Sequence, residues 1–163
     1  MIEKERLGNY LQDHYAVSSA EIELFRRAAD QQSDPVARTA LTSMVEQVED
    51  ERAALERFLL AIGSKPDPMK NAGAWLAEKL GRLKPNGELI RRSPLSDVVE
   101  LEALRLTVEG KACGWRVLRS LAADEDLFDA AELDRLLDHA GRQIEHLEEL
   151  RMSAADRVFK HAP

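Results

Sequence analysis

Between Leu101 and Leu121 the acids and bases Glu102, Arg105, Glu109 and Arg116 recur at telling spacings. At 100° per residue on a helix they share one narrow band with Val98, flanked by Leu95, Leu106, Ala112 and Cys113. By the same arithmetic Asp97, Glu100, Thr107 and Lys111 fall on the opposite side. The spacing therefore predicts a solvent-facing polar side and an inward stripe of mixed charge. Two chemistries are open to such a stripe. Carboxylates free of other cations bind hard metal ions through oxygen, whereas carboxylates beside guanidiniums form bidentate ion pairs.

The elements that must position these groups are helices. From about 3 to 32 the apolar residues Leu7, Tyr10, Leu11, Val17, Ile22, Leu24, Phe25 and Ala28 follow helical spacing. Asp34 and Pro35 supply a cap and a first-turn proline for a second helix over 35–62, and Gly63 is placed to end it. The stretch 64–93 is richer in proline and holds one short amphipathic segment, 68–83. Ser93 and Pro94 open a third helix over 94–123. Asp129 is a cap for a fourth, over 130–158, with Leu133, Leu136, Leu137, Ala140, Ile144, Leu147, Leu150 and Ala154 inward.

Composition agrees with an all-α domain spanning 1–163. Charged residues make up 33% of the chain and aromatics 5%, with a net charge of -7. That charge argues against nucleic acid as a partner, since phosphate binding needs clustered Lys and Arg, and the local pair Arg91 and Arg92 is a small exception. The stretch MIEKERLGNY lacks the apolar core of a signal peptide, and no run approaches the roughly eighteen apolar residues of a membrane span. A soluble, cytoplasmic protein is expected, and a homo-oligomer is compatible with this reading. Cys113, the one cysteine, is expected to be a buried, inert thiol.

A hairpin, a crossover of about thirty residues and a second hairpin define a four-helix bundle of particular topology. This pattern resembles the ferritin-like superfamily across the whole chain, with an extra short helix in the crossover between helices 2 and 3. The resemblance implies a Glu on each of two helices and a Glu-x-x-His on each of the other two, all facing the axis and holding iron or manganese. Glu21 and Glu109 match the single carboxylates. Val48-x-x-Glu51 stands where the first paired motif is expected, and Gln143-x-x-His146 keeps the histidine of the second while losing its acid. The candidate metal ligands are thus Glu21, Glu51, Glu109, Gln143 and His146.

The competing expectation is a buried ion-pair network without metal, built from Glu21, Glu51, Arg52, Glu102, Arg105 and Glu109. In it two always-protonated guanidiniums replace two metal ions as the positive partners. It leads to a non-catalytic interaction or structural module with no cofactor. The metal reading leads instead to a redox or iron-handling protein. Hemerythrin-like oxygen binding asks for more histidines than the four present. His14, some two turns from Glu21, is expected to be a core or edge histidine, and Trp75 and Trp115 packing residues. His139 and His161 carry no signal. No nucleophile and base constellation, phosphate loop, CxxC or HExxH occurs.

Overall fold

The computed structural model describes residues 2–67, 93–123 and 127–160. Among them are four long helices and no strand: α1 (Lys4–Gln31), α2 (Pro35–Ala61), α3 (Leu95–Leu121) and α4 (Ala130–Phe159). The expected short helix at 68–83, Trp75 and His161 lie outside the described residues.

Local chemistry sets the helix ends. The Asp34 carboxylate accepts a hydrogen bond from the Val36 amide, and Pro35 occupies the first turn, where its missing N–H costs nothing. Asp129 caps α4 in the same way through the Ala131 amide. After α2, Gly63 adopts φ 81°, which brings its own amide onto the Leu60 carbonyl and the Ser64 amide onto the Leu59 carbonyl. This is a Schellman ending, and among the described residues its left-handed residue is the one position where glycine is conformationally required. The segment that leaves α2 is then fastened to α1 by the buried Gln12. Its amide nitrogen donates to the Ser64 hydroxyl (3.1 Å) and the Lys65 carbonyl, and its oxygen accepts from the Asp67 amide (3.0 Å).

α1 packs along α2, and α3 along α4. Between the hairpins, the backbones of α1 and α3 approach each other more closely than those of α2 and α4. The core runs down the axis through Leu11, Phe25, Leu41, Leu59, Leu101, Leu104, Trp115, Leu118, Leu133 and Leu147. Phe58 stands edge-on to both Trp115 (5.9 Å between centroids) and Phe128 (5.5 Å), closing the end near the α3–α4 turn.

The face of α3 differs from the sequence expectation. Its buried side consists of Val98, Leu101, Leu104, Val108, Lys111, Ala112, Trp115 and Leu118, together with Asp97 and Glu100. Glu102 and Arg116 are exposed, and Arg105 and Glu109 are half-exposed at the rim. The helix is turned roughly a third of a revolution from the expected phase. The cause is a second apolar stripe, Leu95, Leu106 and Val117, which remains 44%, 60% and 40% exposed and drew the arithmetic towards itself. Cys113 lies on that stripe and is exposed, with Arg116 donating to its sulfur at 3.6 Å.

Candidate functional site

Three helices deliver one charged side chain each to the same point inside the bundle. Glu21 comes from α1, Glu51 from α2 and Lys111 from α3, and they are 2%, 2% and 6% exposed. The Lys111 ammonium donates to Glu21 Oε1 at 2.9 Å and contacts Glu51 Oε2. Such groups survive burial only when paired. Burial works against the Lys111 charge, but the two carboxylates outweigh it and raise its pKa above the ordinary lysine value. Glu51 is raised as well: its burial and the like charge of Glu21 prevail over the pull of Lys111 and His139. The second oxygen of Glu51, Oε1, is buried without a hydrogen-bond partner.

A polar seam continues from this triad towards α4. One turn before Glu51 on α2, Gln47 accepts a hydrogen bond from the Gln143 amide nitrogen of α4 at 3.0 Å. Gln143 is 2% exposed and its oxygen has no partner. Where α2 and α4 part, a groove of about 220 Å³ opens above this amide pair, lined by Ala40, Ser43, Met44 and Gln47 on one side and His139, Arg142, Gln143 and His146 on the other. His139 sits one turn before Gln143 and is close enough to Glu51 to act on its charge. The groove and the triad are therefore the outer and inner parts of one transverse polar layer.

The sequence-derived site residues are distributed differently from the expectation. Glu21 and Glu51 meet, and Gln143 lies in the next layer. Glu109 pairs with Arg116 at 3.2 Å on the surface, away from Glu21. Arg105 faces Glu148 (3.2 Å) and Glu102 faces Arg151 (3.8 Å), both along the α3–α4 seam. Arg52 lies over the Tyr15 ring, 4.2 Å from its centroid, with its Nε donating to the Ser19 hydroxyl. Among the described residues no guanidinium reaches the interior carboxylates; the cation they share is Lys111, which the helical spacing had placed on the solvent side. His146 is exposed at the groove mouth.

The donor set does not fit a di-metal centre. Such a centre needs several converging carboxylates and imidazoles, and among the described residues no three His, Cys, Asp or Glu side chains form a group able to hold a metal ion. The two carboxylates that do converge already share an ammonium.

A signal for Lys111 did exist in the sequence. Taking Trp115, the bulkiest residue of α3, as the marker of the inward face puts Lys111 one turn below it, beside Val108 and Ala112. Among the described residues no helix is long and apolar enough to cross a membrane. Comparison with protein-family models, with curated proteins and with solved structures finds no match for this chain.

Proposed function

We propose that this chain is a bundle of ferritin-like topology that has given up metal chemistry and works as a non-catalytic interaction or structural module. The observation that carries this reading is Lys111 between Glu21 and Glu51. A fixed ammonium supplies the positive charge that a metal ion supplies in the oxidases and iron-handling proteins of that superfamily. An ammonium with a raised pKa, sealed from solvent and engaged by two carboxylates, is neither a nucleophile nor a proton acceptor at neutral pH. The hairpin, crossover and hairpin order supports the topology.

Elemental analysis tests this reading. Protein grown in iron- and manganese-replete medium is expected to hold neither metal in stoichiometric amount, and the Glu21→Ala/Glu51→Ala variant to give the same result. About one or two metal ions per chain, lost in that double variant, would replace this reading with the redox one.

A further inference from the structure

Three nitrogen-bearing side chains of α4 face one opening. His139, Arg142 and His146 follow one another at intervals of three and four residues, which keeps them on a single side of the helix, and all three line the groove between α2 and α4 with Ser43 of α2 opposite. The guanidinium is always protonated, and each imidazole carries an N–H whatever its charge. Neither imidazole has a hydrogen bond or ion pair among the described residues. No carboxylate belongs to the described lining. In a chain of net charge -7, this cleft is therefore a local site of positive charge and free donors. Beneath it the bond between Gln143 and Gln47 ties the two helices into a floor, and Met44 and Ala40 supply an apolar wall.

We propose that this groove binds a phosphate group, whose oxygens accept from the Arg142 guanidinium, the flanking imidazoles and the Ser43 hydroxyl. The two imidazoles lie seven residues apart on α4, about 10 Å along its axis, so the anion centres on Arg142 between them. Donors on both sides of a cleft suit a tetrahedral group better than a planar carboxylate, and a phosphate monoester also brings a charge of about -1.5 to -2 at neutral pH. The volume of about 220 Å³ admits a phosphate with a short carbon chain lying on Met44 and Ala40. Arg142 holds Asp138 only loosely, at 3.9 Å with both side chains exposed, so solvent screens that contact and an incoming anion displaces it. The carboxylates of Glu21 and Glu51 lie beneath the amide floor and share the Lys111 ammonium, whereas the groove donors meet the anion directly. The site adds a ligand to the bundle and does not depend on its being a non-catalytic module.

The test titrates propyl phosphate, inorganic phosphate and butyrate into the full chain at a fixed ionic strength of about 0.15 M, where diffuse attraction is screened. Binding is followed through the backbone amides of Ser43, Gln47, Arg142 and Gln143 in ¹H–¹⁵N spectra. Propyl phosphate is expected to shift these signals saturably and to bind about tenfold or more tighter than butyrate. If it also binds tighter than inorganic phosphate, the ligand is a phosphate ester whose carbon chain uses the apolar wall; equal binding of the two identifies free phosphate, and either result supports the site. Arg142→Gln should weaken binding about tenfold or more, while Arg135→Gln, equally exposed on α4 but outside the groove lining, should leave it within about twofold. Butyrate binding as tightly as propyl phosphate, no saturable shift with either phosphate, or equal losses in the two arginine variants would each overturn the proposal, the last by showing only the diffuse charge of the helix.

Discussion

The imidazole of His14 on α1 rests on the bare backbone of Gly114 on α3. A Cβ built on that glycine would stand 3.0 Å from His14 Cε1 and 3.2 Å from Nε2. Few side-chain contacts are that tight, so a Cβ here would push the ring by a few tenths of an ångström at the crossing of α1 and α3. Tyr10, one turn away on α1, completes the contact edge-on to the His14 ring at 4.7 Å.

Gly114→Ala should therefore destabilise the wild-type chain by about 1 kcal/mol, because overpacking outweighs the roughly 1 kcal/mol of helix propensity that alanine contributes. In a His14→Ala background the same substitution should stabilise instead. Urea unfolding of the four proteins gives the cycle, and an additive result would show that the ring yields freely.

His14 should also make stability depend on acidity. Burial lowers its pKa from 6.5, and Asp13 and Glu21 only partly oppose this. The unfolded chain then takes up a proton that the folded chain refuses, so stability is lost as pH falls from about 6.5 through the lowered folded value. His14→Gln should remove that slope, as urea midpoints at about pH 7.5 and about pH 5.5 would reveal.

Lys111→Met should be among the most damaging substitutions in the chain, costing about 3 to 5 kcal/mol because it strands two buried carboxylates. The triple variant Lys111→Met/Glu21→Gln/Glu51→Gln should recover most of that loss. Guanidinium chloride unfolding measures both, and a triple variant no better than the single one would mean that packing rather than charge governs the layer.

Glu51→Gln should behave oppositely with pH. Because the folded pKa of Glu51 lies above 4.5, the native state holds its proton after the unfolded chain has released it. The wild type thus loses stability as pH rises from about 4.5 through the folded value, and the glutamine variant should lack this component. The variant's stability relative to wild type should rise over that interval in thermal melts across pH.

Cys113 should react with a thiol reagent in the native protein without denaturant, since it is exposed beside Arg116. Protection until unfolding would restore the buried position expected from the α3 periodicity.

Periodicity and caps, which are local, were sufficient for the four helices. Asp34 with Pro35, Gly63 and Asp129 mark ends that hydrogen-bond within a few residues of themselves, and the apolar repeats of α1, α2 and α4 each have one dominant face. Glu21, Glu51 and Gln143 were legible as inward for that reason: each sits amid a single stripe. α3 has two stripes, and within the helix the one pointer to the buried stripe is the bulk of Trp115, since by hydropathy Leu118 ranks no higher than Leu106 and Val117. Only packing against α1 and α4 chose between them. That choice carried Lys111 inward and Glu102, Arg105 and Glu109 outward. An ion pair between residues ninety positions apart has no local signature, because its energy exists only once three helices have excluded water from around it.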